Sequence, residues 1–487
     1  MAHIDRRDTQ ASILEGYRAK LSNHLFFRFR PDQGSQALTN LLPLVNDASP
    51  FLAEAPPALC NVGLSYSGLI QLGPPEAALS GLPTAFREGM LRRSALLGDD
   101  PEAFESAFTQ PIDLWLWIQA REKAALSSLT DQVLKALAGC AECTYETSGN
   151  ELLDEATGLP IEHFGFRDGI SQPWVSGSLS AAQARNGVLD RQQRWRPLST
   201  GEFLLGHSDE TGEIPLERRP ALAQLCHNGT FAVFRKLAQH VGEFSSYLQA
   251  ESQRLQNAGI TEATAAWIAE RMVGRRQDGS PLCSSADGTI SFADDHDGRI
   301  CPLGAHVRRA HPRDGRADAG SFSRHRILRR SMPYGPRYTG DNAEAERGLL
   351  FVALNADIER QFEFLQQRYM NDGAAVRQGS QADPILSAAG GSFLIPGDAP
   401  SQRDTAICTN VPSFVTCRGG AYFLLPGLRA LRWLARGAPT RHKADVRPRT
   451  ERSTSQEQEP RAKQRAKQPR GKQPLQTPDP AREETSR

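Results

Sequence analysis

No run of about 18 apolar residues occurs in this chain of 487 residues, so nothing in it reads as a helix able to cross a bilayer. The most apolar stretch, 420–435, is broken by Pro426, Arg429 and Arg432. The first residues carry Asp5, Arg6, Arg7 and Asp8 and pass into 11–17 without the apolar core of a signal peptide, so Arg6-Arg7 is not read as an export signal. The expectation is a cytoplasmic protein with no membrane partner. Cysteine is sparse: eight residues, at 60, 140, 143, 226, 283, 301, 408 and 417, do not make a disulfide framework in a chain of this length. Only Cys140 and Cys143 have a suggestive spacing. No second pair is available for a structural zinc, and packed thiols are the reading.

Acidic and basic residues nearly balance, but not locally. In 441–487 Lys and Arg outnumber Asp and Glu by 13 to 7, whereas in the rest of the chain they are outnumbered 44 to 49. The basic end has no aromatic residue, repeats Arg-Ala-Lys-Gln at 461–464 and 465–468, and is rich in Pro and Gln. Such a composition cannot bury enough apolar surface to offset the entropy of ordering, so 437–487 is expected to be a disordered basic tail. Without interleaved aromatics to stack bases, and with seven acids, it argues against a nucleic-acid partner.

Two segments look alike. His24–Arg30 reads as a strand followed by a helical pattern over 36–45, and Thr230–Leu237 reads as a strand followed by a helix over 240–257. A duplicated α+β architecture is the economical inference, with antiparallel sheets covered by helices on one face. Between and after these units run two long irregular regions, 144–200 and 277–320, rich in Gly, Asp, His and Arg. Long loops of that kind in a compact protein are commonly functional.

Three motifs carry the chemistry. Gly165-Phe166-Arg167-Asp168-Gly169 is a glycine-flanked carboxylate, continued by Ile170-Ser171-Gln172-Pro173. Cys301-Pro302-Leu303-Gly304-Ala305-His306-Val307-Arg308-Arg309 offers a histidine, and Ile327-Leu328-Arg329-Arg330-Ser331-Met332-Pro333-Tyr334-Gly335 offers a cation. An acid, a potential axial ligand and a charge stabiliser are what an iron porphyrin needs to cleave a peroxide.

The ordered trio resembles the larger, two-domain members of the dye-decolorizing peroxidase family, over nearly all of 11–436. The resemblance implies duplicated ferredoxin-like domains around a haem pocket: an N-terminal domain, 11–195, with the Asp168 loop, and a C-terminal haem-binding domain, 196–436. It implies haem b, bound without covalent attachment since no Cys-x-x-Cys-His string occurs. His306 is then the iron ligand, Asp168 the proton shuttle and Arg329, rather than Arg330, the charge stabiliser. Arg313 is implied to pair with a haem propionate, and Leu349 and Phe351 to pack near the porphyrin. Asp383 is implied to accept a hydrogen bond from the iron-binding histidine, with Asp372 and Asp357 as rivals. Ser331 departs from the Gly or Asn of relatives, so a hydrogen-bonding amide found there in some members is absent. His311 is read as structural. Tyr334, Tyr338 and Trp174 lie in motifs suited to surface electron relays, with packing as the plainer role. The implied function is peroxide-driven oxidation of dyes, phenols or other one-electron donors, and association of the chain with itself is compatible with it. The rival from another class is a non-catalytic haem-binding or iron-release protein, which would keep His306 and Arg313 but not need Asp168 or Arg329.

Overall fold

A computed structural model describes residues 4–437, apart from 50–54, 179–185, 191, 193, 215–218, 285–288, 314–321, 375–377, 380, 387–390 and 398–404. The expected disordered tail lies, beyond Gly437, outside the described residues. Among the described residues, nine strands join in one antiparallel sheet. They are β1 Leu21–Phe29, β2 Ala58–Leu64, β3 Leu114–Ala120, β4 Ala141–Asn150, β5 Thr230–Gln239, β6 Leu328–Arg329, β7 Met332–Tyr334, β8 Gly348–Asn355 and β9 Val415–Leu425. The order is β4-β1-β3-β2-β9-β5-β8-β6, with β7 also on β8.

The duplication is written in that order. In the first half the strands run fourth, first, third, second; in the second half, counting the broken pair β6 and β7 as one, they run fourth, first, third, second again. The halves join through a single register pair, Leu64 on β2 with Leu424 on β9. The repeated strand–helix pattern of the sequence appears as β1 followed by α1 (Gly34–Leu41) and β5 followed by α3 (Val241–Asn257).

Both faces of the sheet are buried, which goes further than the one covered face expected from the sequence. Because successive strand residues point to opposite faces, Leu25, Phe27 and Phe29 of β1 and Leu114, Leu116 and Ile118 of β3 pack on one side. There they meet α1, α2 (Lys123–Leu137) and α6 (Leu428–Ala435), numbering α4 as Ala265–Val273 and α5 as His306–Ala310 between them. Phe26, Trp115, Trp117, Phe234 and Phe423 pack on the other side, with Phe203 and Leu204 from irregular segments. This aromatic core is enclosed because the sheet curls until its edges touch. A Cβ on Gly149 of β4 would stand 3.0 Å from Met332 of β7. Lys236 of β5 also ties the edges together: its ammonium contacts Glu105 at 2.5 Å, Glu346 at 2.7 Å and the Tyr145 hydroxyl at 3.2 Å, and lies 4.9 Å from the ring centre of Tyr334.

Close packing at the seam explains one residue. Gly63 of β2 faces Trp115, and a Cβ there would lie 2.8 Å from the indole and 3.0 Å from Phe423. Gly63→Val is therefore expected to cost about 1–3 kcal/mol through overpacking. Thermal unfolding should show one transition at a lower midpoint, since the indole and Phe423 come from the two halves; two separated transitions, with only one displaced, would show that the seam does not couple them.

Candidate active site

The Asp168 loop is fixed by a buried-side carboxylate that the sequence reading did not single out. Glu162 accepts hydrogen bonds from the backbone N–H of Phe164 and of Phe166, both at 2.9 Å, and from the Gln239 amide at 2.6 Å. Gly165 and Gly169 take φ of +90° and +76°, where a side chain would strain the turn. The loop thereby delivers Asp168 to Arg329, whose Nη1 lies 2.7 Å from Oδ1. Arg329 sits on β6, and its own backbone N–H donates to Gln172 at 3.0 Å. Its neighbour points elsewhere: the Arg330 guanidinium is hydrogen-bonded to the carbonyls of Ser12, Ile13 and Arg329. The chain thus sends two adjacent arginines in different directions, and Arg329 is the one brought to the acid.

His306 opens α5, which is anchored by its own arginines. Arg308 reaches Asp295 at 2.8 Å and the Cys301 carbonyl at 2.6 Å. Arg309, fully buried, donates to the carbonyls of Gly304, Tyr369 and Gln381. Across 77 residues of sequence the His306 ring Nδ1 meets Asp383 Oδ2 at 3.0 Å. The other oxygen of Asp383 accepts from the N–H of Ile385 and Leu386, at 2.9 and 2.8 Å, so the carboxylate cannot turn away. The rivals are engaged elsewhere: Asp357 lies 3.5 Å from Arg360, and Asp372 3.9 Å from Arg368.

The two pairs share one electrostatic environment. Burial pushes the Asp168 carboxyl upward, but the Arg329 charge, hydrogen bonds from Gly169 and Arg329, and the more remote His306 outweigh it, so its pKa falls below the ordinary value. Burial opposes the charged form of His306, yet the Asp383 carboxylate prevails and raises its pKa. Asp168, Arg329 and His306 keep 31, 29 and 31 % of their side-chain surface accessible, although burial is the largest single influence opposing the charged forms of the acid and the imidazole. For Asp168 and Arg329 that surface faces a cavity. A cavity of 1110 Å³ is lined by Asp168, Arg329, Gln172, Glu162 and Leu349 among others. Phe351, on the same face of β8, instead packs with Phe362 at a ring separation of 6.1 Å.

A group of buried cations completes the site. Arg313, 8 % exposed with φ of +53°, reaches the Asn186 side chain at 3.4 Å, while Arg326 reaches the Asn186 carbonyl at 3.4 Å and the His311 ring at 3.2 Å. Burial, then the charges of Arg313 and Arg329, push the Arg326 pKa down to about 9. Burial and the same kind of repulsion, from Arg326 and Arg313, hold His311 well below its usual value. Positive charge crowded away from water suits an anionic ligand such as a carboxylate. Sequence reading had found Arg313 in this group. Arg326 was not singled out, and His311 was read as structural; nothing in the local sequence of either announces burial.

Comparison with known proteins follows the same lines. Residues 226–399 match the model of the Dyp-type peroxidase C-terminal family. The multifunctional dye peroxidase DyP2 of Amycolatopsis is 31 % identical over 400 residues, covering 77 % of this chain and 82 % of that protein. The solved DyP-type peroxidase of Anabaena superposes with a TM-score of 0.73 at 25 % identity, covering 88 % of this chain and 94 % of the other. A dye-decolorizing peroxidase solved in complex with 2,6-dimethoxyphenol gives 0.72 at 26 % identity, over 89 and 100 %.

Replacing Arg329 by Leu leaves Asp168 buried without its strongest cation. The wild-type carboxyl, with its depressed pKa, contributes stability that is present above the unfolded-state value and is lost as pH falls through the folded one; in the variant a raised pKa reverses that slope. The gap between the two urea midpoints is therefore expected to narrow as pH falls from neutrality toward 3–4, and a gap independent of pH would deny the coupling.

Proposed function

Because the chain belongs to the dye-decolorizing peroxidase family and is a hydrogen peroxide-dependent oxidoreductase acting on dyes and phenols, we propose that Asp168 and Arg329 carry its peroxide chemistry beside a haem b held without a covalent link. The single observation that carries this reading is the 2.7 Å contact between Asp168 and Arg329 in a cavity within electrostatic reach of His306. The donor set fits haem: an imidazole with Nδ1 anchored on Asp383 presents its other nitrogen to iron, and the cation group around Arg313 and Arg326 suits the two propionates. His306 would hold the iron, Arg313 a propionate, and Leu349 and Phe351 a flank of the ring. Haem supplies, when bound, the electron transfer between peroxide and donor.

Asp168, kept ionised by Arg329, accepts a proton from the near oxygen of peroxide and returns it to the far oxygen, so that this oxygen leaves as water. Arg329 meanwhile stabilises the negative charge that develops as the O–O bond breaks. Over the cycle one peroxide takes up two electrons and two protons to give two waters, and two phenols each lose one of both. Division into an N-terminal domain, 11–195, and a haem-binding domain, 196–436, belongs to the same proposal and is supported by the strand order repeated in each half. Among the described residues the cysteines form no disulfide, which supports a reducing, cytoplasmic setting. Among the described residues no helix is long and apolar enough to cross a membrane. The rival reading, a haem carrier or iron-release protein, is not favoured: such a protein has no use for the Asp168–Arg329 pair.

Asp168→Asn and Arg329→Leu are each expected to keep haem while slowing the reaction with peroxide about a hundredfold or more. Stopped-flow absorbance decides this, and unchanged rates in both variants would sink the assignment. His306→Ala should lose the Soret band of tightly held haem. Asp383→Asn is more specific: the Asn oxygen would keep the N–H groups of Ile385 and Leu386, leaving its amide to donate to Nδ1 and forcing the proton onto the nitrogen needed by iron. Haem affinity should fall roughly 10–100-fold with the fold retained, as read by titration of the apoprotein; affinity equal to wild type would remove Asp383 from this role.

A further inference from the structure

The string that carries His306 and the loop that carries Asp168 are both touched by one turn, which follows α4 and runs from Gly274 to Pro281. At its start, a Cβ on Gly274 would lie 3.2 Å from Ala305, 3.3 Å from the Cys301 sulfur and 3.4 Å from Val307, so the turn is seated on the residues flanking His306. At its tip, the Gln277 carbonyl accepts a hydrogen bond from the Arg167 N–H at 3.1 Å. A Cβ on Gly279 would stand 2.7 Å from Ile170 and 3.1 Å from the Arg167 side chain, so the Asp168 loop rests directly on the turn. The turn is also closed on itself: the Arg276 N–H donates to the Ser280 carbonyl at 3.0 Å and the Gly279 N–H to the Arg276 carbonyl at 2.9 Å.

Arg275 joins the two contacts. Only 8 % exposed, it donates to the Gly279 carbonyl through Nη1 and to the Ser171 hydroxyl through Nη2, both at 2.6 Å. Ser171 lies three residues beyond Asp168, on the same loop. A neutral donor could make such bonds without the cost of burying a cation. What the guanidinium adds is charge. Burial and then the Arg329 charge push the Arg275 pKa down to about 10, while the Asp168 carboxylate works in the other direction. Asp168 is thus faced by Arg329 from β6, His306 from α5, Arg275 from this turn and Glu162 from its own loop.

We infer that Arg275 is a positioning residue for Asp168: its planar fork fastens the acid's loop, through Ser171, to the turn seated on the His306 string, and so sets the acid against the iron ligand. The charge of Arg275 adds to that of Arg329 in keeping the acid ionised. This deepens the peroxidase reading and rests on it.

Three variants separate the tie from the charge. Ser171→Ala removes the acceptor, Arg275→Lys keeps the charge but not the planar fork, and Arg275→Gln keeps a donor but not the charge. Hydrogen exchange of the full-length protein, followed with and without haem, should show the amides of 164–172 exchanging about tenfold faster in Ser171→Ala and Arg275→Lys, the scale of one lost hydrogen bond. The second-order rate of the haem-loaded protein with peroxide should fall about tenfold in both, as displacement of a reacting group requires, with the decline of the rate toward low pH left where it is in wild type. In Arg275→Gln that decline should move to higher pH, because removing a cation raises the Asp168 pKa and the protonated acid accepts no proton. A substitution that merely loosened the fold would slow the reaction alike at every pH. Exchange and rates equal to wild type in Ser171→Ala and Arg275→Lys overturn the positioning role, and a low-pH decline unmoved in Arg275→Gln overturns the contribution of charge. Ser171→Ala is a small change at a partly buried hydroxyl, so it decides the tie even where an Arg275 variant fails to fold. Failure of the wild type to react with peroxide would instead overturn the peroxidase reading, while exchange would still report on the turn.

Discussion

The contact between Asp168 and Arg329 is the constraint on which the rest of the active centre depends. A carboxylate taken out of water is driven to protonate, and a protonated Asp168 could not accept a proton. The neighbouring guanidinium reverses that tendency, but only if both groups are held to within hydrogen-bond distance from opposite halves of the chain. The structure meets this from two directions. Glu162 and two glycines set the loop that carries the acid, and pairing of β6 on β8 sets the arginine, with Gln172 from the acid's own loop grasping the arginine's backbone.

Charge is economised throughout this region. His306 gains its orientation from a carboxylate whose second oxygen is tied to backbone N–H groups, and Arg308 and Arg309 spend their charge on holding α5. Against that background, the group of positive charge around Arg313, Arg326 and His311 stands out. Such a group suits an anionic ligand, which in the proposed reading is a haem propionate.

The scaffold that makes such positioning possible is a sheet that closes on itself. Trp115 and Trp117 lie parallel, 5.6 Å apart, with Phe26, Phe234 and Phe423 around them. Large rigid side chains with few rotamers fill this space at low entropic cost, and the tightness of the seam at Gly63 follows from the same filling. With its edges bound by Lys236 and its neighbours, the sheet offers a firm wall from which β6 and β8 face the cavity.

The amino-acid sequence by itself determined the family, the duplicated strand–helix unit and the residues of the three motifs, because these are local: a glycine-flanked acid, a histidine in a fixed string, an arginine in register with Pro333-Tyr334-Gly335. It also ranked Arg329 above Arg330, and Arg329 is the one that meets Asp168. Only the tertiary structure decided which distant aspartate meets His306, because the family pattern named Asp383 over Asp372 and Asp357 while spacing along the chain could not show which of them folds against the ring. It alone disclosed Glu162 and Arg326, whose importance lies in burial and in the groups packed around them. Those are properties of the packed chain, to which sequence spacing is blind.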